Sequence, residues 1–336
     1  MPPKSTVYFV GAGLTKSLEA PGRPLPLIND FVSVMAEYVH DDVILTTLAQ
    51  LENFGIFEWP SQEASKFAKL LVGRHADRTQ QDRSAFRTAL KNRPSESIEK
   101  LLERASASGE LHQRFKYAIN RLSWSVDWKV NCQPLDHFLS QQIGDEQSIH
   151  TFISFNYDLL LERAFQHHPK AVWNPQIGYG FLIDYFVTED PPRMQGAGFF
   201  SPTEIRRFQG SDIQSQDVQI LKPHGSLNWL VPEKTPVSYG PIGLTTEGGP
   251  IVQPLTESHE IRYWSSMESF QWLRLPDEGT PRNWWLYIVP PTEAAKRGAP
   301  SFLADIRAKE MQAIKRPTKC TFWVGAFQRQ TATKSS

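Results

Sequence analysis

The chain has 336 residues, of which 40% are hydrophobic and 21% are charged, so it has the composition of a globular protein that can bury a full enzyme core. Its 36 basic and 36 acidic side chains give a formal net charge of zero, and the basic residues are scattered, which disfavours direct binding to nucleic acid. Only two cysteines occur, Cys132 and Cys320, which excludes a structural zinc site of four thiolates.

The first predicted element is a strand over residues 6–10, an apolar, β-branched and aromatic run that stops at Gly11, Ala12 and Gly13. Glycines directly after a strand let the backbone approach a pyrophosphate and direct N–H groups toward it. The pattern is incomplete, because position 16 is lysine where a dinucleotide fingerprint has its third glycine, and Thr15 stands where a phosphate loop has glycine. A tight strand exit without a ligand is the alternative at this point.

Between about residues 28 and 142 the apolar residues recur at the spacing of amphipathic helices. With mean helix lengths of ~11 residues, this segment predicts a lobe of roughly five or six helices, inserted after the first strand. Two sets of residues each fall on one helix face: Phe31, Val34, Met35 and Tyr38, and Leu111, Phe115, Ala118 and Leu122.

A second buried strand is predicted over residues 149–155, followed by Asn156-Tyr157-Asp158 and by a helix over 159–165. Strand, polar turn and helix form the repeating unit of a parallel α/β sheet. An amide at the end of the strand can hold ribose hydroxyls or a water molecule. The carboxylate of Asp158 can bind a carboxamide or cap the next helix, and both roles are open, whereas Asn156 has no comparable local role.

The region from 174 to 217 is rich in glycine, proline and polar residues and predicts loops. A third strand over 218–221 ends at Lys222-Pro223-His224-Gly225-Ser226, where proline and glycine stiffen the turn that presents the histidine. Because imidazole titrates near neutral pH, His224 is a candidate general base. The alternative is a structural histidine that is hydrogen-bonded within the turn.

Two further strands are predicted over residues 284–289, before Pro290-Pro291-Thr292, and over 320–324, before Gly325. The five predicted strands all end at glycine, proline or small polar residues. An open parallel sheet places its ligand-binding loops at such ends. The sequence therefore predicts one α/β sheet with a binding site at its carboxyl edge.

Three motifs, in this order and context, resemble those of the sirtuin-like NAD-binding family: Gly11-Ala12-Gly13, Asn156-Tyr157-Asp158 and His224-Gly225. A fourth segment, Pro290-Pro291-Thr292 followed by Lys296, looks like an element of bacterial sirtuin-like anti-phage defence proteins. The resemblance covers roughly residues 6–17 and 149–325. It implies a Rossmann-like parallel sheet formed by residues 1–27 and 143–336, with a helical lobe over 28–142.

The resemblance also implies a reaction, in which NAD is the substrate and the bond between nicotinamide and ribose is hydrolysed to give nicotinamide and ADP-ribose. The glycine turn would hold the pyrophosphate, Thr15 would replace the family's serine near the ribose, and Asp158 would orient the nicotinamide side. The implied catalytic residues are Asn156, Asp158 and His224, and the implied NAD-binding residues are Gly11, Ala12, Gly13, Thr15, Asn156, Asp158 and Gly325.

One departure from the family pattern concerns the last strand, where Val324-Gly325 continues into Ala326 in place of the family's Gly-Tyr-Ser. This departure affects the adenosine end of the implied site and favours an alternative function, a noncatalytic sensor of NAD or ADP-ribose. A protein deacylase is less expected, because the thiolates of its zinc lobe are missing and no zinc is implied.

The sequence also predicts the location of the protein, its physiological role and the way in which it is activated. No run of about 18 apolar residues and no signal-peptide pattern occur, so we expect a cytoplasmic protein that has no membrane partner. The resemblance implies a role in bacterial anti-phage defence through loss of NAD. Since no separate sensor domain is evident, activation is expected to come from self-assembly or from a protein partner.

Overall fold

The computed structural model describes residues 4–18, 30–38, 45, 48, 80–92, 96–105, 133–143, 148–166, 168, 173, 178–180, 185–187, 205–207, 218–232, 251–252, 284–288, 301–315, 319–323 and 329–332. These residues form an α/β fold with two five-stranded sheets. Among the described helices, none combines the length and apolar character that crossing a membrane requires.

The strands are β1 (Lys4–Val10), β2 (Ser148–Ser154), β3 (Tyr185–Val187), β4 (Ile205–Arg207), β5 (Val218–Leu221), β6 (Gly225–Pro232), β7 (Ile251–Val252), β8 (Trp284–Ile288), β9 (Lys319–Trp323) and β10 (Arg329–Ala332). The helices are α1 (Ala12–Ser17), α2 (Phe31–Met35) with a following 3-10 turn (Ala36–Tyr38), α3 (Gln80–Lys91), α4 (Ile98–Ala105), α5 (Gln133–Gln142), α6 (Leu160–Gln166) and α7 (Ser301–Lys315).

The first sheet has the strand order β10-β9-β1-β2-β5. Strands β9, β1, β2 and β5 run parallel, and β10 turns back to pair antiparallel with β9. The direction of strand addition reverses at β1, because β2 and β5 follow it on one side while β9 lies on the other. In open α/β sheets, ligands bind beyond the carboxyl ends of the strands at such a reversal.

An aromatic cluster packs the helices onto one face of this sheet. Tyr8 and Phe152 lie opposite each other on β1 and β2, and their rings stack with centroids 4.3 Å apart. Phe138 of α5 meets Tyr8 edge-on at 6.3 Å, and Phe165 of α6 meets Phe152 at 5.2 Å. Because neighbouring residues of paired strands share a face, α5 and α6 cover the same side of the sheet.

The helices between β1 and β2 confirm one predicted helix face, since all four of its residues, Phe31, Val34, Met35 and Tyr38, are buried. The other predicted face, between Leu111 and Leu122, lies outside the described residues. Helices α2 and α3 contact each other and the 3-10 turn, whereas α5 belongs to the core over the sheet. The division of the chain at residues 28 and 142 stays a prediction.

The second sheet, with the order β4-β3-β7-β6-β8, corrects two sequence-based expectations. The strand predicted over residues 284–289 is observed as β8, but it pairs antiparallel with β6 and not within the parallel sheet. A short apolar run reveals a buried strand without revealing its partner. The region 174–217, predicted as loops, contains β3 and β4, which at three residues each are too short to show periodicity.

Candidate functional site

The end of β1 opens directly into helix α1. Gly11 is the N-cap residue, with φ −127° and ψ −174°, and Ala12 is already helical, so the predicted glycine turn is a single extended residue. A methyl group built on Gly11 would meet no atom of the described residues within 4 Å. The packing of these residues therefore does not require glycine at this position.

The side chain of Asn156 joins the end of β2 to the end of β1. Its Nδ2 donates to the carbonyl of Gly11 at 3.0 Å and to Oγ1 of Thr15 at 2.9 Å, and the residue is only 8% exposed. Asn156 therefore has a structural role, although it is not a local one. The partners of this amide lie 145 and 141 residues away in the chain, so the local sequence gives no sign of them.

Asp158 uses both carboxylate oxygens within the protein. Oδ2 accepts a hydrogen bond from Oγ1 of Thr15 at 2.5 Å, and Oδ1 accepts one from the backbone N–H of Leu160 at 3.3 Å, the first residue of α6. The helix-capping role that the sequence left open is thus observed. The hydroxyl of Thr15 accepts from Asn156 and donates to Asp158, which makes it the link between two strand ends.

The turn that carries His224 is fixed by its neighbours. The Gly225 N–H donates to the carbonyl of Lys222 at 3.1 Å, with Pro223 at the second turn position, where its fixed φ suits a β-turn. Gly225 has φ +87°, and a methyl group there would lie 2.0 Å from the carbonyl oxygen of Tyr287 on β8. Glycine is therefore required at this position by both conformation and space.

His224 itself is half-buried and contacts the end of β2 through Phe155. The two rings meet edge-on, with centroids 5.5 Å apart and planes at 62°. Phe155 is 40% exposed, and its N–H donates to the carbonyl of Val10, at the end of β1. The ends of β1, β2 and β5 thus bring the glycine turn, the Asn156–Asp158 segment and the His224 turn to one edge of the sheet.

Beneath these residues lies a buried polar group, the Lys222 cluster, consisting of Lys222, Glu162, Tyr179, Ser226 and Asn228. Lys222 and Glu162 are each 1% exposed, and Nζ lies 2.8 Å from Oε1. Tyr179 donates to the same carboxylate oxygen at 3.2 Å and accepts from Asn228 at 3.0 Å. Sequence analysis missed this cluster, although charges inside apolar runs, such as Glu162 within residues 159–165, are a usable signal for buried pairs.

The Lys222 cluster keeps the phenol of Tyr179 protonated. Burial, reinforced by the negative charge of Glu162, raises the pKa of Tyr179 well above its ordinary value. Tyr179 therefore stays a hydrogen-bond donor to Glu162 at neutral pH. The carboxylate accordingly has two donors, the phenol and the ammonium of Lys222.

Some predicted residues are not brought into this arrangement. Gly325, the Pro290-Pro291-Thr292 segment and Lys296 lie outside the described residues. Across the described ranges, no three histidine, cysteine, aspartate or glutamate side chains come together as ligands for a metal ion.

The amide of Asn156, the hydroxyl of Thr15 and the carboxylate of Asp158 are hydrogen-bonded together, and the imidazole of His224 lies at the same edge beside Phe155. Such a set can bind hydroxyl groups and move a proton. A scan against models of known protein families gives no match for this chain, and neither does a search of curated proteins.

Proposed function

We propose that this protein binds NAD at the carboxyl edge of the parallel sheet and hydrolyses the bond between nicotinamide and ribose. The observation that carries the proposal is the meeting of three strand ends, which bear Gly11, Asn156 and His224, at one edge of the sheet. The parallel order β9-β1-β2-β5 also matches four strands of a Rossmann sheet, whose dinucleotide lies at the reversal point.

The proposal places the pyrophosphate of the dinucleotide beside Gly11. A glycine that neither φ nor the packing of the described residues requires is expected where a ligand approaches the backbone closely. Ala12 and Gly13 follow with the smallest side chains, so little bulk projects from this part of the chain. In the proposed complex these three residues hold the pyrophosphate, and Thr15 lies toward the ribose.

In the proposed reaction a water molecule attacks the anomeric carbon of the ribose. The carbon–nitrogen bond breaks, nicotinamide leaves with the electron pair, and the proton of the water passes to the imidazole of His224. The products are nicotinamide, ADP-ribose and a proton. Asn156 positions the water or the ribose hydroxyls, Asp158 orients the nicotinamide side, and fixed dipoles stabilise the positive charge that develops on the sugar.

One observation favours a second candidate, a sensor that binds NAD or ADP-ribose without cleaving it. The Asn156 amide donates to two protein acceptors, and both oxygens of Asp158 accept from protein donors. Side chains already engaged in this way can shape a binding site without taking part in chemistry. In the hydrolase case, the resemblance to anti-phage proteins suggests that NAD loss halts the infected cell. In either case we expect control by self-assembly or by a protein partner.

The test follows nicotinamide release from NAD by the wild type, His224→Ala and Asn156→Ala, over a range of protein concentrations that allows self-assembly. A general base contributes about 10²- to 10⁴-fold, so the histidine variant should lose turnover by that factor. The matched control is His137→Ala, since this histidine is exposed on α5. It should keep wild-type turnover.

Calorimetry with NAD on the wild type and on His224→Ala separates the two candidates. For a hydrolase, the wild type consumes NAD and the variant only binds it. For a sensor, both bind and neither consumes. A wild-type protein that does not bind NAD, or one that removes acyl groups from lysine, contradicts the proposal.

A further inference from the structure

We infer that Lys222 is a positioning residue that holds the segment with Asn156 and Asp158 beside the His224 turn. The catalytic consequence of this inference rests on the proposed function. Its structural consequence, the holding of the segment, does not. The segment Phe155–Asp158, here named the site loop, follows β2 and carries two of the three proposed catalytic residues. Lys222 lies two positions before the third.

Lys222 contacts the site loop through backbone carbonyls. Its Nζ donates to the carbonyl oxygen of Asp158 at 2.5 Å, and the carbonyl oxygen of Tyr157 lies 3.4 Å away. The Tyr157 carbonyl also accepts from the N–H of Leu227 at 3.1 Å, at the start of β6. The site loop is thus held from below by residues on both sides of the His224 turn.

The ammonium group of Lys222 has no proton left for a substrate. Lysine has three donors, and the three shortest contacts go to the carbonyl of Asp158, to Oε1 of Glu162 at 2.8 Å and to Oγ of Ser226 at 2.9 Å. These acceptors lie on the site loop, α6 and β6. Since the group is also 1% exposed, it acts through the loop and not on a ligand.

The pair with Glu162 makes this arrangement rigid. A buried ammonium is tolerated when a carboxylate and further acceptors surround it, and Glu162 lies on α6, the helix that follows the site loop. Lys222 therefore joins the end of β5, the site loop and α6. We expect removal of the ammonium to loosen the loop and misplace Asn156 and Asp158.

The main test uses a double variant, Lys222→Met with Glu162→Gln, which removes both charges together and keeps an acceptor oxygen for Tyr179. Removing a single partner would leave a buried unpaired charge and unfold part of the molecule. A second variant, Lys222→Arg, keeps the positive charge beside Glu162. Its planar donor fork cannot reach three separate acceptors in the way that an ammonium does.

The control is Leu90→Ala, a truncation of a buried residue on α3, which packs against α2 and the 3-10 turn. It lowers stability without touching the site loop. Two quantities are measured on every variant: amide hydrogen exchange of Leu227 and the site loop, and kcat and KM for release of nicotinamide from NAD.

We expect both Lys222 variants to show faster exchange at these amides and a kcat on the order of 10²-fold lower, with KM changed far less. Leu90→Ala should show neither effect, even where it lowers the free energy of unfolding as much as the Lys222 variants do. Wild-type exchange in the Lys222 variants, or changes that Leu90→Ala shares, overturn the inference. If the wild type releases no nicotinamide, the proposed function fails, while the exchange data still decide whether Lys222 holds the loop.

Discussion

Two glycines of the candidate site differ in whether the described fold requires them. Gly225 has φ +87° and lies against the backbone of Tyr287, so the protein's own packing demands it. Gly11 has an extended conformation that any residue adopts, and no atom of the described residues would meet its side chain within 4 Å. The fold requires glycine at position 225, and the described residues do not require it at position 11.

The first prediction compares alanine at these two positions. Gly225→Ala combines positive φ with a collision against a backbone carbonyl, and should lower the free energy of unfolding by about 3 kcal/mol or more. Gly11→Ala should unfold close to the wild type and bind NAD more weakly. Urea denaturation and calorimetry measure the two effects. Equal losses of stability in both variants would contradict this assignment.

The second prediction concerns the hydroxyl of Thr15, which bonds to both Asn156 and Asp158. Thr15→Val leaves the shape of the side chain and removes the hydroxyl, so two buried or part-buried polar groups lose a partner. We expect a loss of about 1–3 kcal/mol in the free energy of unfolding. Thr15→Ser keeps the hydroxyl and should lower the free energy of unfolding clearly less. Similar losses in the two variants would contradict a stabilising role for the hydrogen bonds of this hydroxyl.

At the scale of elements, the strands of the parallel sheet could be predicted closely. Strands β1, β2, β5 and β9 are apolar runs that stop at glycine or polar residues, and each lies within two residues of its predicted range. The sequence pattern does not predict strand β6, because the residues after Gly225 indicate only the end of a turn. Periodicity also could not assign β8 to the second sheet, since pairing depends on the whole fold.

The candidate site was also predictable only in part, because its contacts depend on the whole fold. Strand ends on one parallel sheet are expected at one edge, which brings Gly11, Asn156 and His224 together in principle. The hydrogen bonds of Asn156 were not predictable, because they join it to Gly11 and Thr15, more than a hundred positions away in the chain. The buried pair of Lys222 and Glu162 likewise spans 60 positions.

The third prediction tests the aromatic core of the sheet. Phe152 is fully buried and stacks on Tyr8, so Phe152→Ala should cost about 3–5 kcal/mol of the free energy of unfolding. The control lies just beyond the same strand. Phe155 is 40% exposed, so Phe155→Ala should change stability by only about 0.5 kcal/mol. Chemical denaturation gives both values, and a large loss in the Phe155 variant would be the unexpected result.

At the scale of the whole molecule, the free energy of unfolding should fall at alkaline pH. Burial and the charge of Glu162 raise the pKa of Tyr179, and burial raises that of Tyr287 against the opposing effect of Arg307. A raised pKa in the folded state means that stability is full below the unfolded value of about 10 and falls as pH rises above it.

The fourth prediction follows from these two phenols. Above pH of about 10, each should lower the free energy of unfolding by about 1.4 kcal/mol per pH unit until its folded pKa is reached. Urea denaturation at increasing pH measures the slope, and Tyr179→Phe should reduce it by the share of one tyrosine. Phenolate absorbance from these residues in the folded protein near pH 10 would contradict the prediction.

The central position of β1 has a consequence for how the chain reaches its fold. Thr6 pairs with His150 on one side and with Lys319 on the other, so β1 is completed by a strand that is synthesised long after it. Until β9 has been synthesised, one edge of β1 has no neighbouring strand and can pair with strands of other chains. Assembly should therefore be slow, and chaperones that shield a nascent edge should raise the yield of this protein.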